Sequence, residues 1–144
     1  MRLVIDASVA IKWVIAEAGS RQAETLHSAE RLLAPDLIYS DCANALWKLV
    51  RRGEFSDEQV IVACRGLEQA PLQLFSCRGL LTAALRLALA LEHPAYDFFY
   101  LALAAAEACP LVTADERLRR RVLSSGIVEF PEVLSIEEAA WRLS

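Results

Sequence analysis

The strongest constraint on this chain is an alternation. Short, mainly apolar runs recur between stretches with helical spacing, and no hairpin turn such as Asn-Gly joins any two of the runs. "RLVID" (2–6) reads as a buried strand, and "LLAP" (32–35), "LQLFS" (72–76), "PLVTA" (110–114) and "IVEF" (127–130) repeat the pattern. Mainly apolar rather than strictly alternating, such runs suit strands covered on both faces. The intervening segments supply the cover. "SVAIKWVIAEAG" has helical spacing and a glycine stop, and Ser20 is an expected N-cap for "RQAETLHSAERL". "DLIYSDCANALWKLVRRG" is a long amphipathic helix, and "SDEQ" (56–59) is a capping box that predicts a helix over 57–69. Further helices are expected over "RGLLTAALRLALALE", "YDFFYLALAAAEA", "DERLRRRVLSS" and "SIEEAAWRL". Strand–helix alternation without hairpins implies parallel strands. The expected fold is therefore a single α/β domain over 1–144, a three-layer α/β/α sandwich with a mainly parallel sheet of roughly five strands.

Composition narrows the partners. The hydrophobic fraction is 56% and the mean hydropathy +0.32, above the roughly 45–50% apolar content of ordinary domains, which points to surface buried against other proteins. Charges interrupt every apolar stretch well before the roughly 18 residues a spanning helix needs. With no leader at the start of the sequence, the expected location is cytoplasmic, away from any membrane. Cys42, Cys64, Cys77 and Cys109 lack metal-binding spacing and are expected as buried free thiols. A net charge of −4 excludes gripping nucleic acid through bulk charge. Any such role needs a local patch: "ERLRRRV" crowds Arg117, Arg119, Arg120 and Arg121 onto one helix, with Lys48, Arg51 and Arg52 elsewhere. A solvated helix face is the competing reading.

Four aspartates stand out. Asp6 ends the first strand and Asp115 lies just past the fourth, at the sheet edge where parallel α/β folds bind ligands. Asp41 and Asp97 interrupt otherwise apolar helical stretches, although aspartate is a poor helix former and is rarely fully buried. Each can be explained locally as a cap or as a charge at a helix start. If they converge, two carboxylates about 4 Å apart repel by on the order of 4 kcal/mol, and such a cluster needs protons or a cation. Hard oxygen ligands without histidine select Mg²⁺ or Mn²⁺, and phosphodiester hydrolysis is the chemistry that follows. Asp41, Asn44 and Lys48 fall on one helical stripe, and Asp97 shares a face with Tyr100, itself expected to pack against the sheet. His27 and His93 are expected to be structural and remote from the site. Trp47 is expected in the core or an interface. Trp13 is expected in the core or in a groove that receives a partner segment.

"VIDASVAIKW", "DCANALWKLVRRG", "YDFFYLALA" and "LVTADERLRRR" resemble the four acidic blocks of the PIN domain, and more narrowly those of VapC-type ribonuclease toxins of bacterial toxin–antitoxin pairs. The resemblance covers nearly the whole chain in order. It implies a metal-dependent endoribonuclease, usually a homodimer, held inactive by a small cognate antitoxin. By position, Asp6 and Asp97 resemble the principal Mg²⁺ ligands. Asp41 stands where the family has glutamate, with Asn44 matching the block's asparagine. Being one methylene shorter, Asp41 is expected to reach metal through water. Asp115 matches the fourth acid, often acting through water, and Ser8 and Thr113 take the nearby hydroxyl positions. Lys48, Arg117, Arg119, Arg120 and Arg121 are the expected contacts to the RNA backbone. Three alternatives remain open: a PIN-like module that binds RNA without cutting it, an aspartate-dependent phosphatase, and a structural protein whose four acids are caps.

Overall fold

The computed structural model describes residues 1–127 and 130–144. Its core is one sheet of five strands, all parallel: β1 (Arg2–Ile5), β2 (Arg31–Pro35), β3 (Leu72–Phe75), β4 (Leu111–Val112) and β5 (Val133–Leu134), in the order β3-β2-β1-β4-β5. The central strand β1 carries Leu3, Val4 and Ile5 with no exposed surface, as its uninterrupted apolar run requires. The edge strand β3 leaves Gln73 and Leu74 exposed.

Eight α-helices among the described residues complete the fold: α1 (Ala7–Val14), α2 (Ser20–Thr25), α3 (Ile38–Arg51), α4 (Asp57–Glu68), α5 (Leu81–Leu91), α6 (Phe98–Glu107), α7 (Glu116–Ser124) and α8 (Ile136–Leu143). Parallel strands are joined by right-handed crossovers. From β1 to β2 to β3 the chain moves one way across the sheet, so α1–α4 share a face. From β3 to β4 to β5 it returns, which places α5–α7 on the other. The packing agrees: α1 contacts α3 and α4, whereas α6 contacts α5 and strands β1, β2 and β4. Helix α8 returns to pack on α2. Phe98, Tyr100, Leu101 and Leu103 of α6 are almost wholly buried, and each such side chain contributes roughly 1.5–3 kcal/mol. The reversal of direction falls between β1 and β4, where this class of sheet opens a ligand crevice.

Several local expectations are corrected. Helix α1 stops at Val14, because buried Ile15 turns extended and its carbonyl is held by the Ser20 hydroxyl. Ser20 is thus the first residue of α2 rather than its cap, and Gly19, at φ +87°, takes the left-handed turn before it. Helix α2 ends at Thr25 in a short 3-10 turn (Leu26–Ser28), since Arg31 and Leu32 pair with Arg2 and Leu3 of β1. Sheet pairing overrides the helical spacing there. The expected strand over 127–130 includes Val128 and Glu129, which lie outside the described residues; the described fifth strand is Val133–Leu134, against Leu111 and Val112. Of the four free thiols, Cys42 and Cys109 are buried, but Cys64 and Cys77 are only partly so. Among the described residues no helix is long and apolar enough to cross a membrane.

Candidate active site

Asp6 leaves the carboxyl end of β1 and caps α1, its Oδ1 accepting the Val9 N–H at 3.3 Å. Two hydroxyls fix it further. Ser8 donates to Oδ1 and Thr113, at the end of β4, donates to Oδ2, each at 2.5 Å. Ser8 Oγ in turn accepts the Ala114 N–H at 2.9 Å, and Thr113 Oγ1 accepts the Asp115 N–H at 3.0 Å. One hydrogen-bonded knot therefore ties the ends of β1 and β4 together. Asp6 is only 7% exposed. Burial pushes its pKa up to about 6, against the pull of the Ser8, Thr113 and Val9 hydrogen bonds, and the charge of Asp97 adds to the rise.

Asp115 caps α7, its Oδ1 accepting from the backbone N–H groups of Arg117 and Leu118. Local capping therefore accounts for part of the role of Asp6 and Asp115. It does not account for the other two. Asp97 closes a 3-10 turn (Ala95–Asp97) at the start of α6, and Asp41 lies in the first turn of α3; neither carboxylate makes a capping bond. Asp97 is the electrostatic hub. Burial raises its pKa, the charges of Asp115 and Asp41 raise it further, and His93 opposes them. Asp41 is also raised, by burial, while a hydrogen bond from Tyr100 lowers it. The fields of Asp6, Asp41, Asp97 and Asp115 thus overlap. Among the described residues no three acidic, histidine or cysteine side chains already stand in a ligand arrangement. As hard oxygen donors with several oxygens unbonded, the four carboxylates nonetheless suit a divalent cation in their chemistry.

Two participants were placed elsewhere by the sequence reading. Tyr100 is buried, but its hydroxyl donates to Asp41 Oδ2 at 2.5 Å, and burial together with that bond pushes its pKa well up. Packing on the sheet is only half of its role. His93 stands with Nε2 3.9 Å from Asp97 Oδ2, stacks edge-on against Phe98, and is not remote. The i, i+3 and i, i+4 spacings around Asp97 carry both signals. Cys42, buried beside Asp41, has its thiol pushed up to about 12 by burial, then by the charges of Asp41 and Asp6. Asn44 and Lys48 are exposed on α3. Trp47 is 56% exposed, so it is not core, and Arg51 stacks over its ring. Trp13 is half-buried against His27 and donates Nε1–H to the Ala23 carbonyl.

The arginines of α7 divide. Arg119 forks onto Glu138 at 2.8 and 3.0 Å, and Arg121 donates to the Leu91 and Glu92 carbonyls at the end of α5. Both, expected to hold RNA, are engaged within the protein. Arg120 folds back to the Glu116 carbonyl through Nε, and Arg117 and Arg120 line the surface with Arg121.

A strand-end aspartate knotted to a second strand, its charge coupled to Asp97 and through Asp97 to Asp41 and Asp115, points to a class. The PIN domain model matches residues 3–122, and the chain belongs to the PIN-domain family. Within it, Ribonuclease VapC3 of Pyrobaculum aerophilum is 34% identical over 127 residues, covering 84% of this chain and 95% of its own length. The chain is therefore similar to VapC ribonucleases along almost their full extent. The crystal structure of PAE2754 from Pyrobaculum aerophilum superposes with a TM-score of 0.73 at 22% identity, covering 99% of this chain and 89% of that one. VapBC2 from Rickettsia felis, bound to a DNA fragment from its promoter, has a TM-score of 0.61 at 11% identity, covering 94% and 98%. These two likenesses show the fold.

Proposed function

We propose that this protein is a VapC-type endoribonuclease, the toxin of a toxin–antitoxin pair, and that it hydrolyses RNA phosphodiester bonds with Mg²⁺ or Mn²⁺. One observation carries the reading: Asp97, which makes no capping bond of its own, feels the charges of Asp115 and Asp41 and in turn acts on the buried Asp6. Asp6 and Asp97 would hold the cation, with Asp41 and Asp115 contributing through water. Bound there, a divalent cation supplies a water of lowered pKa and a counter-charge for the phosphoryl oxygens.

The chain's own groups do the rest. Ser8 and Thr113 orient the Asp6 carboxylate, so no rotamer freedom is lost when substrate arrives. Tyr100 holds one oxygen of Asp41 and leaves the other to take a proton from the attacking water, a task Asp115 Oδ2 is equally free to perform. Because water attacks, the ribose 2′-OH is not needed as nucleophile; the family resemblance implies that the P–O3′ bond breaks, leaving 5′-phosphate and 3′-hydroxyl ends. Leu81, Leu85 and Leu89 along α5, and Trp47, Ile61 and Val62 on α3 and α4, are exposed. Apolar surface of this kind supports two protein contacts, a second copy and a small antitoxin.

Incubation of the purified chain with RNA and Mg²⁺ tests the proposal. Cleavage stopped by a chelator and lowered about a hundredfold or more in Asp97→Asn is expected, since even outer-sphere partners of a metal are worth about 10–100-fold. RNA binding without cleavage would make it a binding module; cleavage indifferent to Asp97 would move the site.

A further inference from the structure

Beside the acid cluster lies a groove of about 300 Å³ between α1, α3 and the loop after β4. Ser8 and Ala114 form one end, where the Ser8 hydroxyl bridges Asp6 and the Ala114 N–H. Lys12, Lys48 and Arg52 bring positive charge to its walls, and Glu17 the one carboxylate. Lys12 and Glu17 neutralise each other at 3.1 Å, and Lys12 also donates to the Ala18 carbonyl. That leaves Lys48 and Arg52. Among the described residues neither side chain makes an ion pair or a hydrogen bond, whereas Arg2, Arg119 and Arg142 are all matched to glutamates. Two unmatched cations thus line a groove that reaches Ser8, the hydroxyl bonded to Asp6.

We infer that this groove is the subsite for the RNA strand flanking the bond to be cut, with Lys48 and Arg52 each binding a backbone phosphate. The inference deepens the ribonuclease reading and rests on it. Spacing supports it: along α3, Lys48 lies about 10 Å and Arg52 about 16 Å beyond Asp41. A polyanion lying along the helix meets the acids first and the two cations in succession. A lone acidic protein segment in the groove would gain the cations but also meet Asp41 and Asp115 with nothing to offset them. RNA arrives with its reacting phosphate at the site where a cation screens those acids. Backbone contacts of this kind position a strand and carry no sequence information, so the groove sets register rather than target choice.

The test uses the full chain carrying Asp97→Asn, to prevent cleavage, and a fluorescent single-stranded RNA 12-mer of mixed sequence titrated at several salt concentrations. Adding Lys48→Ala and Arg52→Ala is expected to weaken binding roughly tenfold at low salt. The slope of log K against log salt should fall by about 0.7 for each lost phosphate contact. Arg65→Ala, an exposed cation on α4 away from the groove, should leave the slope unchanged, and Lys48→Arg with Arg52→Lys should restore it. An unchanged slope in the double alanine variant overturns the inference. So does a double variant that binds RNA normally but no longer binds its protein antitoxin, which would assign the groove to that partner. The wild-type chain, assayed in parallel for cleavage, separates the two levels. Cleavage with an unchanged slope refutes the groove alone, while a lowered slope without any cleavage keeps the groove and refutes the nuclease.

Discussion

The two sides of the acid cluster are built differently. On the sheet side, Asp6 is buried, accepts hydrogen bonds on both oxygens, and is locked to β4 through Ser8 and Thr113. On the helix side, Asp41 and Asp97 are half-buried, and among the described residues only one oxygen of Asp41 is bonded, to Tyr100. The first arrangement fixes a position in space; the second leaves lone pairs for something that arrives later. A fully satisfied network is rigid, and an unsatisfied set of like charges is a standing cost. The contrast is what the proposed metal-and-substrate site would require: one preset ligand and several available ones. It also separates folding from function, because disturbing the sheet side should cost stability and disturbing the helix side should cost activity.

The largest effect expected on the sheet side is a pH dependence. The pKa of Asp6 is raised from 3.8 to about 6, so its neutral form is favoured in the folded state. Its contribution is fully present below pH 3.8 and is lost as the pH rises through 6, a change on the order of 2–3 kcal/mol in the metal-free protein. Asp6→Asn should therefore flatten the stability profile between pH 4 and 6 relative to wild type, measured by urea unfolding at fixed ionic strength. Equal slopes for the two proteins would show that the Asp6 carboxylate is not held as described.

Thr113→Val keeps the shape of the side chain but removes a donor to a buried carboxylate. A loss of about 1–3 kcal/mol is expected at pH 7, shrinking at pH 4 as Asp6 becomes protonated. Should the loss be equal at both pH values, the hydroxyl contributes through packing instead.

Smaller still, on the helix side, Tyr100→Phe frees Asp41 Oδ2 while preserving the buried ring. Cleavage should fall several-fold, with the pH–rate profile displaced because Asp41 loses the bond that lowers its pKa. Unfolding stability should change little, since the half-buried Asp41 can hydrate its freed oxygen. A Tyr100→Phe protein that is strongly destabilised yet has an unshifted pH profile would reverse the division between the two sides.

Much of this organisation was readable beforehand, for identifiable reasons. Strands β1, β2 and β4 follow from uninterrupted apolar runs and β3 from a run broken only by Gln73, and Asp6 and Asp115 from acids at the strand ends. Asp41 and Asp97 were conspicuous as polar breaks in apolar helices. Apart from His93, four residues before Asp97, what escaped depends largely on contacts distant in sequence. Tyr100 and Asp41 are 59 residues apart, and nothing local to either announces the bond. Arg119 and Glu138 are 19 apart, so an arginine that looked available to RNA is spent inside the protein. Strand β5 has only two residues and follows Pro131, too short for any periodic signal. Helix α1 was read too long because helical spacing continues past Ile15, although the chain must turn there to bring β2 alongside β1.

Asp6, Asp41, Asp97 and Asp115 are proposed to act as one cation site. Titration of Mn²⁺ into the wild-type chain and Asp97→Asn at pH 7.5, followed by water-proton relaxation, measures this directly. Saturable binding in the wild type that is lost in the variant, with both proteins equally folded, is the predicted result. Identical Mn²⁺ binding by the two proteins would contradict it.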